Sequence, residues 1–514
     1  MKRSNENMTT APTPHHAPRR RPTFALPALF AVLLAFTSAT AQNATPTELV
    51  VAVTAIGNTL DPAVANFANT TTAMGHVYDR IIGIDANFEF APAVATSWEF
   101  VDATTFKLTV GDGFVFHNGV PLTVQDVVFS IERLRDVPRL ASVMNNIAST
   151  EVTGESEVTI KLVAPNSSTI RALMAAAHVL NEAYSKTPGV DFANKPIGTG
   201  PYVVSNFVPG DRLELTAWAD YPFAAPAIPR IVFRTIPEDA NRYIAAETGE
   251  AQFAAITYHD LARAESNPRL NVIQQKTTNT AFISMNTQKA PFDNTNVRLA
   301  MAYATDKEGL AVVQGGSTVI YSMTPPMFST YYASPNLPTF DLEKARQLLE
   351  AEGYGPSNPL RFDMWTYGGN TSVAETYQAL LSAIGVEMSI KNFEFGVFLE
   401  GMARGEYQML SGSWNNITGD PMSALENYWS GSFGSQNISF FQNARADELY
   451  ELAKGTVDES VLIDAAREVQ EIAAAEMPII PTFSTLAMFA FDARLVGVET
   501  YPSSLYSFRN ARFE

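Results

Sequence analysis

Residues 91–134 read "APAVATSWEFVDATTFKLTVGDGFVFHNGVPLTVQDVVFSIERL" and contain, in order, a strand pattern, a turn and a helix start. "TFKLTV" at 105–110 alternates apolar and polar residues, which predicts a half-buried strand. His117-Asn118-Gly119 predicts a tight turn. Thr123 suits a helix N-cap, with Asp126 three residues later to complete a capping box. A strand, a turn and a capped helix in one short stretch indicate a mixed α/β fold.

Strand and helix patterns continue on both sides of this stretch. Further strands are predicted at 48–62, 157–163 and 212–218. Amphipathic helices are predicted at 294–305, 341–353 and 464–478. The 514 residues are enough for two to four domains with cores of their own. We therefore expect an α/β protein of several lobes.

Composition and charge exclude some classes of partner. Apolar residues make up 46% of the chain, as in a globular protein. The formal net charge is -18, so general electrostatic attraction will not hold this protein on nucleic acid or on an anionic membrane.

The N-terminus has the pattern of an export signal. Arg19–Arg21 precede the apolar run "FALPALFAVLLAF" at 24–36, and Ala39-Thr40-Ala41 forms a small-x-small cleavage site. The run is shorter than the roughly 20 residues that span a bilayer. We predict that 1–41 is a signal peptide cleaved near Ala41, with either the general or the twin-arginine route open. The chain has no cysteine, so neither a disulfide nor a lipid anchor on cysteine is expected, and a periplasmic location is favoured.

No catalytic or metal-binding motif stands out. The histidines show no H-E-x-x-H spacing, and no G-x-S-x-G sequence is present. We predict no catalytic residue, no metal ligand and no cofactor. A large exported protein without such chemistry is more typical of a binding protein than of an enzyme.

Five segments together resemble the family 5 extracellular solute-binding proteins, the peptide- and nickel-binding components of ABC importers. The segments follow one another in the order of that family and lie at 91–134, 196–204, 292–310, 340–354 and 443–483. The resemblance implies a two-lobed periplasmic binding protein fold of type II, cluster C, with an extra domain appended to the first lobe. It also implies hinge closure around a solute, followed by docking on a membrane permease.

The resemblance also implies a division of the chain. The first lobe would comprise 42–78, 199–280 and 487–514, the appended domain 79–198, and the second lobe 281–486.

Gly198 and Gly200 predict a close backbone crossing, since glycine tolerates conformations that other residues do not. Such a crossing between lobes would be a candidate hinge.

The loop "SGSWNNITGDP" at 411–421 resembles a ligand-contact loop of the peptide-binding members. In those proteins the tryptophan is followed three residues later by an aspartate that pairs with the peptide ammonium. That position here is Ile417, which cannot neutralise a charge. We therefore expect a ligand recognised by hydrogen bonds and by stacking on the ring, although a capped surface loop is the alternative. The predicted ligand-binding residues of this loop are Trp414, Asn415, Asn416, Ile417, Thr418 and Asp420.

Two other segments bear on the same cleft. The stretch at 362–375 contains no arginine or lysine where dipeptide-binding members carry an arginine for the ligand carboxylate. By resemblance, "NFANTTT" at 66–72 faces the cleft, and the alternative is a plain polar loop before a helix beginning at Ala73. The predicted ligand-binding residues of these two segments are Phe67, Asn69, Thr70 and Tyr367.

The sequence thus predicts a monomeric periplasmic substrate-binding component of an ABC importer, which delivers a peptide-like or related small polar solute to its permease. Within that class an oligosaccharide, an opine or glutathione-like conjugate, and a nickel chelate remain open, the last disfavoured by the few histidines. An exported hydrolase is the alternative from another class, and assays of peptidase and esterase activity distinguish it.

Overall fold

The computed structural model describes residues 46–65, 68–368, 371–416, 418–456 and 458–514. The predicted signal peptide at 1–41 lies outside the described residues, and so do Phe67 and Ile417.

The β-strands of the described residues are numbered in chain order. They are β1 (Leu49–Val53), β2 (Gly83–Ile84), β3 (Phe90–Ala91), β4 (Ala95–Asp102), β5 (Thr105–Val110), β6 (Ile147–Val152), β7 (Glu157–Leu162), β8 (Tyr202–Val208), β9 (Arg212–Ala217), β10 (Arg230–Thr235), β11 (Phe253–Ile256), β12 (Leu270–Lys276), β13 (Asn279–Met285), β14 (Thr318–Val319), β15 (Arg361–Tyr367), β16 (Glu387–Phe393), β17 (Met409–Asn415), β18 (Ile479–Ser484), β19 (Leu486–Asp492), β20 (Leu495–Val496), β21 (Glu499–Thr500), β22 (Tyr506–Ser507) and β23 (Arg512–Phe513).

The helices alternate with these strands along much of the chain. The α-helices are α1 (Ala68–Val77), α2 (Val124–Glu132), α3 (Ala141–Asn145), α4 (Ser167–Ala176), α5 (Glu182–Lys186), α6 (Asp239–Thr248), α7 (Tyr258–Glu265), α8 (Thr295–Tyr303), α9 (Lys307–Val313), α10 (Leu342–Ala351), α11 (Ser372–Ser382), α12 (Phe395–Ala403), α13 (Ala444–Lys454) and α14 (Glu459–Glu476). Short 3₁₀ helices occur at Arg133–Asp136, Pro138–Leu140, Leu425–Tyr428 and Ser430–Ser432.

Two large sheets define two lobes. The first lobe is built on a seven-stranded sheet in the order β12-β19-β11-β1-β10-β9-β8, with β1 parallel to both of its neighbours. The second lobe is built on a six-stranded sheet in the order β14-β18-β13-β17-β15-β16. Strands of the first lobe come from separate parts of the chain, so this lobe closes only when the C-terminal β19 returns to it.

A third, antiparallel sheet in the order β4-β5-β7-β6 forms what we call the four-stranded domain. Its β5 buries alternate residues, namely Phe106, Leu108 and Val110, so the predicted strand at 105–110 is confirmed. The predicted capping box is confirmed as well, because Thr123 caps α2 and the Asp126 carboxylate accepts from the Thr123 backbone at 2.9 Å. The strands of this domain lie within the section 79–198, and we keep the predicted domain boundaries as a proposal.

The two glycines of the predicted crossing lie against the end of α1. A β-carbon on Gly198 would stand 2.0 Å from the Val77 carbonyl oxygen, and one on Gly200 would stand 2.4 Å from that of His76. The Gly200 amide donates to the Val77 carbonyl at 2.9 Å. The close approach is therefore confirmed, and only glycine fits it.

The Gly198–Gly200 crossing does not lie between the two large sheets, and its role as a hinge stays a prediction. The Gly198–Gly200 crossing joins the first lobe to the four-stranded domain, since the His117 amide of that domain donates to Gly198. The chain passes between the two large sheets elsewhere, at Thr277–Thr278 and at Thr485. Glycine content indicates a close approach, but it does not reveal which units approach each other.

Two helix starts also differ from prediction. Helix α1 begins at Ala68 instead of Ala73, so Asn69 and Thr70 lie on a helix and not in a loop. Threonine and asparagine are weak helix formers, and packing of this helix against the first lobe outweighs their propensity. Helix α14 begins at Glu459, capped by Asp458, rather than at residue 464.

Within the part of the chain that the structure describes, no helix has both the length and the apolar character needed to cross a membrane.

Candidate functional site

The two passages between the lobes run side by side. The Thr277 hydroxyl donates to the Thr485 carbonyl at 2.7 Å, and the Ser484 hydroxyl donates to the Thr277 carbonyl at 3.1 Å. Thr277 and Thr278 are buried. A pair of adjacent, hydrogen-bonded passages is a suitable place for a hinge, because a few backbone torsions there reorient whole lobes.

The loop that follows β17 starts beside these passages. Trp414 lies on β17 opposite Thr280, half-buried against the apolar cluster of the second lobe. The Asn415 side-chain oxygen accepts from the Thr278 hydroxyl at 2.6 Å. Trp414 and Asn415 are therefore close to the point where the lobes join.

The centre of the loop is held by its own side chains. The buried side chain of Asn416 makes two hydrogen bonds to the backbone of Asp420. Its Nδ2 donates to the Asp420 carbonyl at 2.7 Å, and its Oδ1 accepts from the Asp420 backbone N–H at 3.2 Å. The Thr418 hydroxyl donates to Asn416 at 3.2 Å. Asn416 and Thr418 thus close the loop, as the alternative of a capped loop predicts for these two positions, while Ile417 between them is outside the described residues.

The tip of the loop touches the four-stranded domain. Gly419 has a φ of 66°, and a β-carbon there would stand 2.3 Å from the Phe88 ring. Phe88 lies between β2 and β3 with a φ of 62°, and its ring is 5.6 Å from that of Phe328 in the second lobe. Phe88 is therefore an aromatic contact from the four-stranded domain to the second lobe.

A cavity of about 660 Å³, which we call the interlobe cavity, lies beside this contact. Phe88 and Arg171 of the four-stranded domain line it, opposite Asp420 and Met327 of the second lobe. Burial raises the pKa of the Asp420 carboxyl, against the opposing effects of the Met422 amide and of Arg171. Asp420 is the predicted site residue that lines this cavity, whereas Trp414, Asn415 and Tyr367 do not.

A second cavity of about 430 Å³, which we call the first-lobe cavity, lies on the other side of Phe88. Its walls come from α1, from the segment 78–93, from Tyr221 and Phe223, and from the C-terminal segment 499–510. Thr71 and Thr72 of α1 line this cavity.

The predicted residues Asn69 and Thr70 are used to fix α1. The Asn69 amide donates to the Ala55 carbonyl at 3.1 Å and accepts from the Tyr506 hydroxyl at 3.3 Å. Thr70 is buried and accepts from the Gly57 amide at 2.8 Å. Because these positions lie on a helix, Thr71 and Thr72 face the cavity, whereas Asn69 and Thr70 do not.

Tyr367 lies at the end of β15 and packs within the second lobe. Its ring is 5.1 Å from that of Phe395 and 4.8 Å from that of Phe398.

The charged residues of the first-lobe cavity were missed by sequence reasoning. Asp79 and Arg80 follow α1 directly, and Arg509 comes from the far end of the chain. The sequence did contain a sign of them, because the charged pair Asp79-Arg80 interrupts an apolar run between Tyr78 and Ile81, both of which are buried. Charged residues in a buried apolar run require partners, which the sequence does not supply nearby.

The architecture is that of a two-lobed type II periplasmic binding protein, as three comparisons with known proteins agree. HbpA2 from Haemophilus parasuis superposes with a TM-score of 0.82 at 25% identity, over 91% of this chain and 100% of that one. The ABC transporter-associated periplasmic binding protein DppA from Helicobacter pylori, in complex with peptide STSA, gives 0.76 at 24% identity, over 91% and 98%. The glutathione-binding protein GsiB of Escherichia coli O1:K1 / APEC is 27% identical over 488 residues, which cover 90% of this chain and 94% of GsiB.

The family itself is established by its sequence model. The model for bacterial extracellular solute-binding proteins, family 5 Middle, matches residues 89–436, more than half of the chain. The chain belongs to this family, and the predicted fold class and the predicted class of ABC-importer solute-binding protein are confirmed. Its relatives are transport proteins that bind a substrate, not enzymes.

Proposed function

We propose that this protein captures a small peptide-like solute between its lobes and delivers it to an ABC permease, with reduced glutathione as the first solute to test. The observation that carries the proposal is that the loop at 411–421 starts beside the paired passages between the lobes and ends against Phe88, which lines both cavities. The contact of Gly419 with Phe88 is present in this structure, and rotation of the lobes about those passages would open and close the space around it for a solute.

Glutathione is preferred to ordinary dipeptides for two reasons. The similar GsiB proteins are named as glutathione-binding proteins. In addition, Ile417 stands where an ammonium-binding aspartate is expected, and Asp420 is buried and already accepts from the Met422 amide at 3.0 Å. The ammonium of an α-linked dipeptide would therefore be poorly neutralised at this loop. Glutathione also carries an ammonium, but at the far end of its γ-glutamyl chain and next to a carboxylate, away from the peptide bond.

Titration calorimetry on the refolded, ligand-free protein tests the solute. We expect glutathione to bind at least about 100-fold more tightly than the unmodified dipeptides Ala-Ala and Met-Leu, because the dipeptide ammonium, unlike the displaced ammonium of glutathione, would lie at this loop without a partner. Submicromolar binding of those dipeptides contradicts the proposal.

Trp414→Ala tests the position of the solute. A buried aromatic anchor contributes about 1–3 kcal/mol to binding, so the affinity for glutathione should fall by that amount. Trp429→Ala is the matched control, because Trp429 packs in the same cluster of the second lobe but stacks on Tyr450 at 4.7 Å instead of lying beside the passages between the lobes. Equal affinities of the two variants would remove Trp414 from the site.

The finer predictions on location and assembly are also part of the proposal. We expect export to the periplasm with cleavage near Ala41, no lipid on cysteine because the sequence has none, and a monomeric mature protein. N-terminal sequencing of the periplasmic protein checks the cleavage, and light scattering checks the mass.

A further inference from the structure

The first-lobe cavity is walled by charged and aromatic residues together. Two arginines line it, Arg80 and Arg509, and three carboxylates, Asp79, Asp85 and Glu499.

Each carboxylate of this cavity already has partners. Asp79 accepts from Arg509 at 2.6 Å and from the Thr199 hydroxyl at 2.9 Å. Glu499 accepts from the Tyr501 hydroxyl at 3.0 Å and from Asn510 at 2.8 Å.

Asp85 binds the backbone of its own turn. Its side chain accepts from the amides of Asn87 and Glu89 at 2.7 and 2.9 Å. Among the described residues, none of the three carboxylates forms an ion pair or a hydrogen bond with Arg80, although Asp85 and Glu499 keep their negative charge.

One of the two arginines is equally well satisfied. Besides its contact with Asp79, Arg509 donates to the carbonyls of Gly75 and Tyr78 at the end of α1, each at 2.8 Å. Its role is to tie the C-terminal segment to α1.

The other arginine is different. Arg80 is half-buried, and its backbone is held by a bridge to His178. Among the described residues, no hydrogen bond or ion pair reaches its guanidinium. A guanidinium carries five N–H donors, and taking them out of water without acceptors costs free energy. Burial and the neighbouring Arg509 accordingly lower the pKa of Arg80, whereas Tyr501 raises it.

We propose that the Arg80 guanidinium is the binding group for a carboxylate of the transported solute, which lies in the first-lobe cavity against Tyr221 and Tyr501. This assignment rests on the proposed solute-binding function, but it does not depend on glutathione being the solute. A guanidinium forms paired, charge-assisted hydrogen bonds with a planar carboxylate.

A carboxylate suits the cavity better than a phosphate does. Asp79, Asp85 and Glu499 surround the site with negative charge, which repels a dianion more than a monoanion. The aromatic walls formed by Tyr221, Phe223 and Tyr501 suit an apolar stem next to the carboxylate.

Two variants and a control test the assignment. Arg80→Gln removes the charge, and Arg80→Lys keeps the charge without the paired donors. Arg234→Gln is the control, because Arg234 is a half-buried arginine of the first lobe that lies outside the cavity. By calorimetry we expect Arg80→Gln to weaken glutathione binding by about 30- to 1,000-fold, Arg80→Lys by less, and Arg234→Gln not at all.

Thermal unfolding gives a readout that does not require glutathione. The monoanions acetate and propionate should raise the Tm of the wild-type protein and not that of Arg80→Gln. Without any solute, Arg80→Gln should unfold at the same or a higher temperature than the wild type, because it removes an unneutralised buried charge. An arginine with a merely structural role would instead lower the Tm on replacement.

The outcomes separate this inference from the proposed solute. Equal glutathione affinity in the wild type and Arg80→Gln overturns the Arg80 site and leaves glutathione as the solute. Stabilisation by acetate or propionate that depends on Arg80, without glutathione binding, keeps the site and overturns glutathione. No effect of either probe on the wild type, or an equally strong effect of inorganic phosphate through Arg80, overturns the carboxylate site.

Discussion

Two arginines on opposite sides of Phe88 have similar burial and different surroundings. Arg171, in the interlobe cavity, donates to the Phe88 carbonyl at 2.6 Å and lies 5.1 Å from the centre of the Phe90 ring. Arg80, in the first-lobe cavity, has its backbone fixed by His178 and its side chain unneutralised. Phe88 lines both cavities.

This difference indicates what each cavity is for. Where a charge has partners within its own part of the chain, as Arg171 has in the Phe88 carbonyl and the Phe90 ring, it needs no ligand to complete its hydrogen bonding. The Arg80 guanidinium is half-buried and its N–H donors have no acceptor among the described residues. Its burial therefore costs free energy, which a bound carboxylate can offset. Substitutions can disturb the two sides of Phe88 separately.

The largest effect should come from Gly200→Ala, which acts on the wall of the first-lobe cavity. The new β-carbon would meet the backbone of His76 and Val77, which cannot rotate away as a side chain can. We expect a loss of about 3 kcal/mol or more in the free energy of unfolding. Solute binding should also weaken, since Arg80 follows that backbone closely.

Urea unfolding measures the loss, and Gly355→Ala is its matched control. Gly355 has no atom within 4 Å of the β-carbon position and no positive φ, so its change should be close to neutral. Equal free energies of unfolding for the two variants would mean that the backbone at the crossing moves to accommodate a β-carbon at little cost.

The second effect concerns the pH dependence of stability. Burial, followed by Arg509, lowers the pKa of His76 to about 3, and burial, followed by Arg80, does the same for His178. Unfolded histidines bind a proton near pH 6.5. The unfolded state therefore gains protons first, and stability falls as the pH drops from about 6.5 toward 3, by about 1.4 kcal/mol per pH unit for each histidine.

His178→Phe should remove one histidine's share of that slope between pH 6.5 and 5. His259→Gln, which removes an exposed histidine, is the control. The slope of the wild type alone is not enough, because burial raises the pKa of Asp420 and of Glu426. These two carboxyls make stability fall as the pH rises, which opposes the effect of the histidines, so the variants are compared with each other. A slope unchanged in His178→Phe would contradict a neutral His178 in the cavity wall.

The smallest effect should come from Gly419→Ala on the interlobe side. A positive φ costs an alanine about 1 kcal/mol, and the clash with Phe88 adds about 1 kcal/mol more. Gly113→Ala, with a φ of 86° and no neighbour within 4 Å, pays only the first cost.

A double-mutant cycle with Phe88→Ala isolates the contact. In that background, Gly419→Ala should cost no more than Gly113→Ala, as unfolding in urea would reveal. If the two costs remain additive, the loop tip does not press on Phe88 and the interlobe contact is wrongly described.

Much of the local structure could be predicted from the sequence. The alternation at 105–110, the capping box of Thr123 and the amphipathic helix within 341–353 depend on residues close in the chain, and the structure contains each of them. The start of α1 could not be predicted, because its threonines favour a loop and packing against the first lobe overrides them.

The candidate site was less accessible to sequence reasoning. The loop at 411–421 was rightly singled out as unusual, yet Asn416 binds its own loop and Gly419 contacts another domain. No pattern within that loop reveals Phe88, which lies over 300 residues earlier.

By itself, the sequence determined the strands, the capped helices, the need for glycine at 198 and 200, and membership in a family whose motifs recur in order. These follow from backbone sterics and from periodicity, which act between near neighbours. Only the tertiary structure decided where the lobes join, and that Asp79 is neutralised by Arg509 while Arg80 is not. The physical reason is that the net interaction of a charge depends on the distance to every other charge and on the water excluded around it, and folding alone sets both.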